Sequence, residues 1–354
     1  MQKKALLRRE ISRLKIDGLL ITDIVNVRYL TGFTGSSGYV VINGNYAVFV
    51  TDFRYEEQAR DEVRGFHIEI EHSERTEEIR DIVHELRIRR LGFEAGNVSY
   101  ALFRKLQKRK IRLKPLTDTV ESLRIVKSAY EVECISAAVR RAERAFRRLL
   151  PLIKPGITEL KLAVKLESLL KDEGCKNLPF EVIVASGSRS ALPHAQPTNK
   201  TVKKGDLIVI DWGGEYEGYF SDMTRTVLVR GRDMAKQKEI YAIVSEAQLR
   251  AIAAVKSGVR ASTVDSAARD LIKHKGYGDN FGHGTGHGVG LQVHEQPSVS
   301  WRSRDVLTRN MVMTIEPGIY VPGFGGVRIE DMVAVSGSKA RVFNKLSKKI
   351  KIIG

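Results

Sequence analysis

The sequence predicts a mixed α/β chain of two domains, one over residues 1–120 and one over residues 121–354. Three observations carry that expectation. Strand-like and helix-like runs alternate through Ile111-Arg112-Leu113-Lys114, the pattern of a mixed sheet faced by helices. Pro115 and the polar Thr117-Asp118-Thr119 then interrupt the alternation. Beyond them the chain reads as two copies of one unit.

In chain order, residues 2–15 suggest a helix and Gly18–Thr22 a strand. Tyr39–Ile42 and Tyr46–Val50 form a hairpin through Asn43-Gly44-Asn45. A helix starts at Tyr55–Ala59, His67–Ile70 is a strand, Thr76–Leu86 a helix, and Arg90–Phe93 and Ile111–Lys114 continue the series. After the break, Glu131–Leu150 reads as a long arginine-rich helix with Val132, Ile135, Val139, Ala142 and Phe146 at helical spacing. Thr158 can cap the next helix, Leu160–Lys171, and Gly174 can end it. Phe180–Gly187 is a strand and turn.

The repeat is visible by direct alignment. Ile153-Lys154-Pro155-Gly156 matches Val255-Lys256-Ser257-Gly258 at an offset of 102. Asp211 falls on Glu316 at an offset of 105, and Asp222 on Glu330 at 108. Each of these acids lies at the end of, or inside, a strand-like run: Leu207–Ile210 before Asp211, Met223–Val229 after Asp222, Met311–Ile315 before Glu316, and Val327–Val333 around Glu330. A carboxylate inside an apolar strand must be paired, protonated or metal-bound, because burying it alone is costly. Two related copies would bring two pairs of acids to a shared centre. With an imidazole from the His283–His294 segment, His287, they make an oxygen-rich set suited to two divalent cations. The glycines at 282, 284, 286, 288 and 290 argue against His283 and His287 sharing one helix face.

Composition narrows the alternatives. Apolar residues make up 42% and charged residues 29%, as in a globular protein, and no apolar run approaches a membrane span. The start, Met1-Gln2-Lys3-Lys4, leads into an amphipathic segment rather than a secretion signal, so a cytoplasmic location is expected. Cys134 and Cys175 offer neither a zinc spacing nor a disulfide framework. The net charge of +17 raises nucleic-acid binding. The basic runs Arg87–Arg90, Lys105–Lys110, Arg140–Arg148 and Lys345–Lys351 are scattered and carry little aromatic interleaving, so a solvated basic surface is the better reading.

The run Phe281–Glu295, with His283, His287 and His294, resembles the pita-bread-fold metallopeptidases, and within them the Xaa-Pro peptidases, aminopeptidase P and prolidase. Asn26–Ser36 and Asp52–Tyr55 resemble that family's creatinase-like N-terminal domain. Val184–Gly187 with Leu192-Pro193-His194, Ile210–Gly213, Ser221–Arg225, Glu316-Pro317-Gly318 and Arg328–Asp331 extend the likeness nearly end to end. The resemblance implies a C-terminal pita-bread domain with a pseudo-two-fold repeat. It implies that Asp211 binds one metal, that His287 and Glu316 bind the other, and that Asp222 and Glu330 bridge. It selects His287 over His283 as the ligand.

By the same resemblance Glu316 shuttles a proton, His194 and His294 donate to the reacting amide, and His283, Arg328 and Tyr320 support the site. Two cations, manganese first with cobalt, iron or zinc as substitutes, would activate a shared water for attack on the Xaa-Pro bond. Proline-containing peptides are the implied substrates and a homodimer the implied assembly, with neither a membrane nor a nucleic acid as partner.

Prolidases of this family often carry arginine four residues after the position of His294, where this chain has Ser298. That departure favours aminopeptidase P-type cleavage over strict dipeptidase action, although Arg302 or Arg304 can stand in. A methionine aminopeptidase would leave residues 1–120 unexplained, and a metal-free creatinase relative or a non-catalytic binding protein would not need the full ligand set.

Overall fold

A computed structural model describes residues 2–107 and 111–354, so Lys108–Lys110 of one basic run lie outside the described residues. The chain divides into two compact units between Arg124 and Ile125.

The first unit is built on a six-stranded mixed sheet. Its order is His67–Ile70, Ala47–Thr51, Tyr39–Asn43, Gly18–Ile21, Arg90–Glu94 and Arg112–Leu116. The hairpin expected at Asn43–Asn45 is present, pairing Tyr39 with Val50 and Ile42 with Ala47. Leu20, Val41, Val50, Ile79, Val83 and Leu91 meet in the core, where the helix Arg75–Glu85 packs on the sheet. Besides the short helical turn Glu121–Arg124, two longer helices among the described residues of this unit were not expected from the sequence. Ile24–Thr31 begins at Asp23, whose side chain accepts from Val25 N, and Tyr100–Leu106 begins at Ser99, which accepts from Leu102 N. Pro115 lies inside the strand Arg112–Leu116 rather than after it. That strand is at the sheet edge, where a missing backbone donor is tolerated.

The second unit repeats one arrangement twice. The helices Ala129–Leu149 and Glu159–Asp172 precede an antiparallel strand pair, Leu207–Trp212 with Met223–Val229. The helices Ala235–Ala254 and Ala261–His274 precede another, Val312–Ile315 with Asp331–Val335. Ser128 and Glu131 close a capping box that starts the first long helix, two residues before the expected position. Thr158 caps the second helix as read from the sequence, accepting from Lys161 N.

The strand pairs sit in two sheets. One runs Lys351–Ile353, Met223–Val229, Leu207–Trp212 and Ile183–Ser186; the other runs Glu295–Val299, Gly286–Gly288, Val312–Ile315, Asp331–Val335 and Ala340–Val342. The run around Glu330 is not one strand. Gly325–Arg328 pairs with Gly318–Val321 in a separate ribbon, and Asp331 opens a strand of the larger sheet. Glu330 therefore occupies the crossing between two sheets.

The arginines of the first long helix are largely self-neutralised. Arg140 pairs with Glu133, Arg144 with Glu173, Arg147 with Glu143, and Arg148 with Asp172 and Glu173. Arg141 stacks on Tyr216. This is a paired helix face rather than an open basic groove. Among the described residues, no helix is long and apolar enough to cross a membrane.

Candidate metal centre and active site

One cleft of about 540 Å³ gathers every residue the sequence singled out except Tyr320 and Arg304. Asp211, Asp222, His283, His287, Glu316, Arg328 and Glu330 line it together with His194 and His294.

The backbone explains why these side chains converge. Asp211 lies on the strand Leu207–Trp212, buried throughout its length, and is paired in register with Thr224, two residues past Asp222. Glu316 follows Ile315, whose register partner is Asp331, so Glu330 lies beside it across the second pair. His287 sits between Gly286 and Gly288 on a short strand held on both sides. A Cβ on Gly286 would lie 2.0 Å from Thr314 O, and one on Gly288 would lie 2.2 Å from Gln296 O. Only glycine permits that approach, and the glycine-rich run is accordingly a strand rather than a helix.

Asp222, His287 and Glu330 offer ligand atoms that all lie within 4.8 Å of one another. His287 Nε2 is 3.5 Å from Asp222 Oδ2 and 3.6 Å from Glu316 Oε1. Its Nδ1 faces Gly288 O at 3.1 Å, so the ring proton belongs on Nδ1 and the Nε2 lone pair points at the carboxylates. Asp211 Oδ1 and Asp222 Oδ1 are buried without a hydrogen-bond partner. Buried acceptors of this kind normally have a donor or a cation. The residues therefore fit divalent cations held by oxygen atoms and one imidazole.

The electrostatics agree. Burial pushes the Asp222 and Glu330 carboxyls well above the usual range, and the neighbouring acids add to it. Glu316 is raised too, again by burial first, against the pull of His283 and Arg328. Burial lowers His283, His287 and His294. Carboxyls pushed up beside imidazoles pushed down mark a site whose buried acids bound cations would compensate.

His283 has a different environment. Its Nδ1 faces Gly284 O at 2.7 Å and its Nε2 faces the Tyr320 hydroxyl at 2.9 Å. Arg328 Nη1 donates to that hydroxyl at 2.9 Å, and Arg328 Nη2 donates to Asp211 Oδ2 at 2.6 Å. Arg328 Nε donates to Thr224 Oγ1, which in turn donates to Glu330 Oε2 at 2.8 Å. One chain of bonds thus runs from His283 through Tyr320 and Arg328 to two of the carboxylates. Thr224 was not singled out from sequence, although it stands two residues after Asp222, on the strand Met223–Val229.

The cleft walls add Phe180, Glu181, Trp301 and Arg302. Ser298 also lines the cleft; Arg304 is not among the residues that do. The Arg302 guanidinium rests 5.4 Å from the Trp301 ring centre.

The profile of metallopeptidase family M24 matches residues 133–337, more than half of the chain. The chain belongs to metallopeptidase family M24. It is a metal-dependent hydrolase of that family, and the creatinase/prolidase N-terminal domain matches residues 4–126 ahead of it. The two-domain expectation of a creatinase-like domain followed by a pita-bread domain holds. The chain is 44% identical over 350 residues to the uncharacterized peptidase YqhT of Bacillus subtilis, covering 98% of this chain and 99% of that protein. Among solved structures it is similar to the Xaa-Pro dipeptidase from Bacillus anthracis, with a TM-score of 0.97 and 40% identity over 100% of this chain and 99% of that one. The X-Pro aminopeptidase from Thermotoga maritima matches with a TM-score of 0.91 and 38% identity, covering 97% of this chain and 100% of that one.

Proposed function

We propose that this M24 enzyme hydrolyses the Xaa-Pro bond of short peptides, with dipeptides as its preferred substrates. The observation that carries the length preference is Arg302. It is an exposed cation that lines the cleft, as does Ser298, which stands where the resemblance to prolidases leads one to expect arginine. Arg328, the other arginine lining the cleft, is committed to Asp211, Tyr320 and Thr224. A free carboxylate on a C-terminal proline would find its counter-charge at Arg302. This departs from the aminopeptidase P-type expectation that Ser298 alone suggested. The close likeness to a solved Xaa-Pro dipeptidase supports the shift.

Asp211, Asp222, His287, Glu316 and Glu330 would hold two divalent cations, manganese being the first to test. Bound there, such cations would supply Lewis-acid polarisation of the scissile carbonyl and activation of water near neutral pH. Glu316 would take the proton of the attacking water and return it to the departing proline nitrogen. Its carboxylate lines the cleft 3.6 Å from His287 Nε2, within reach of a water held at the centre. His194 and His294, which both line the cleft, would donate to the carbonyl oxygen as negative charge develops there. Arg328, itself braced by the Tyr320 hydroxyl, would keep Asp211 oriented.

An aminopeptidase P-type preference is the second reading, favoured by the neutral Ser298 and by the exposure of Arg302 to solvent. The test is a paired assay. Metal-stripped protein with manganese restored is given an Xaa-Pro dipeptide, an Xaa-Pro-Xaa tripeptide and a proline-free tripeptide. Faster turnover of the dipeptide supports the dipeptidase, faster turnover of the proline tripeptide supports the aminopeptidase, and indifference to proline sinks both.

A further inference from the structure

Glu159 is the first residue of the helix Glu159–Asp172, outside the cleft and wholly buried. Its two oxygens receive five hydrogen bonds. Oε1 accepts from Ser186 N and Ser186 Oγ, both at 2.8 Å. Oε2 accepts from Thr198 Oγ1 at 2.8 Å, Thr198 N at 3.2 Å and Arg189 Nε at 3.1 Å. Ser186 ends the strand Ile183–Ser186, and Thr198 follows the loop that leaves it. One carboxylate therefore pins both ends of that loop, and Arg189 ties in its middle by donating to Gln196 O as well.

Between the two pinned ends, residues 193–197 all line the cleft, and His194 is among them. His194 itself is exposed, with the buried Ala195 behind it. The loop contains no strand; its only regular element is the 3-10 turn Gly187–Ala191. Its shape therefore depends on where its ends are held. Arg328 Nη1 adds one more tether at Pro193 O, 3.2 Å away.

We infer that Glu159 is a positioning residue for the reaction: its carboxylate sets the placement of His194 by clamping Ser186, Arg189 and Thr198 around it. The inference rests on His194 serving the Xaa-Pro peptidase proposed above. Five donors converging on two oxygens require a carboxylate. A glutamine there would present an NH2 group to donors on one side, and either the Ser186 end or the Thr198 end would be released. Displacing a catalytic group by a fraction of an ångström through a remote change costs rate more than binding.

The test is a double-mutant cycle on the manganese-loaded enzyme with an Xaa-Pro dipeptide. Glu159→Gln should lower kcat about ten- to a hundredfold, with KM moved far less and bound metal unchanged. In a His194→Ala background the same substitution should cost nothing further, because its effect passes through His194. If the losses multiply instead, or if metal is lost, Glu159 acts on the fold alone and the inference falls. Should Glu159→Gln fail to fold, Thr198→Val removes a single donor and is put through the same cycle, with the same two outcomes. The His194 imidazole resonance of 15N-histidine-labelled protein, assigned by its absence in His194→Ala, gives a readout without turnover. It should shift in the Glu159 or Thr198 variant, and an unmoved resonance overturns the inference. If wild-type enzyme cleaves no proline peptide, the functional reading falls and the resonance alone decides the positioning role.

Discussion

Arg328 and Asp211 meet at 2.6 Å, both almost fully buried, and the guanidinium spends its other donors on Tyr320, Thr224 and Pro193 O. A planar fork is needed to serve four acceptors at once, and lysine has no such geometry. Arg328→Lys should therefore weaken metal binding about ten- to a hundredfold, the usual effect of losing a group that orients a ligand. Titration calorimetry with manganese on the metal-stripped variant checks this; unchanged affinity would show that Asp211 needs no support.

His287 and His283 should separate cleanly. His287 has a free Nε2 lone pair facing Asp222 and Glu316, whereas both nitrogens of His283 are engaged. His287→Ala should lose bound metal. His283→Ala should keep it and lose activity. Metal content by mass spectrometry after desalting decides, and equal retention in both variants would contradict the assignment.

Arg302→Ala should raise KM for an Xaa-Pro dipeptide about three- to tenfold, the modest scale expected for an exposed charge pair. A tripeptide with an amidated C-terminus should be insensitive to the change. Equal effects on both would mean that Arg302 does not meet the substrate carboxylate.

The carboxylates of the centre make stability depend on pH in a defined direction. Asp222 and Glu330 are raised well above their ordinary values of 3.8 and 4.5 by burial first and by neighbouring acids next. A raised carboxyl favours the protonated folded form. Its contribution is complete below the ordinary value and is lost as pH rises through the folded value. Metal-free Asp222→Asn should therefore gain stability over metal-free wild type as pH rises from 4 towards 8. Bound metal should reverse that order. Urea unfolding in chelator and in manganese tests it, and a variant advantage that shrinks with rising pH would refute the account.

Much of this was readable before any coordinates. Leu207–Ile210 announces a strand buried on both faces, and an acid at its end has few cheap explanations besides a cation. The offset of 105 between Asp211 and Glu316 marks the repeat, because both copies use the same strand to deliver the same group. What stayed hidden depends on cooperation between distant segments. Ile24–Thr31 carries four β-branched residues besides its leucine and tyrosine, and only the caps at Asp23 and Gly32 mark it as helical. The break at Glu330 is invisible because Val327–Val333 keeps a strand-like composition while changing sheets. Glu159 looks like an ordinary first-turn acid, and nothing local reveals that Ser186, Arg189 and Thr198 fold back onto it.

The strand Met223–Val229, which begins immediately after Asp222, has Lys351–Ile353 as its parallel outer neighbour, so Val227 pairs with a residue 124 positions further along. While the chain is being made, that edge of the sheet must stay open until residues 351–353 have been synthesised. Late, long-range parallel pairing is slow, and an uncovered apolar edge invites other chains to pair with it. Recovery of native enzyme from dilute denaturant should accordingly fall as protein concentration rises, and a peptide spanning residues 347–354 should compete for the same edge during refolding.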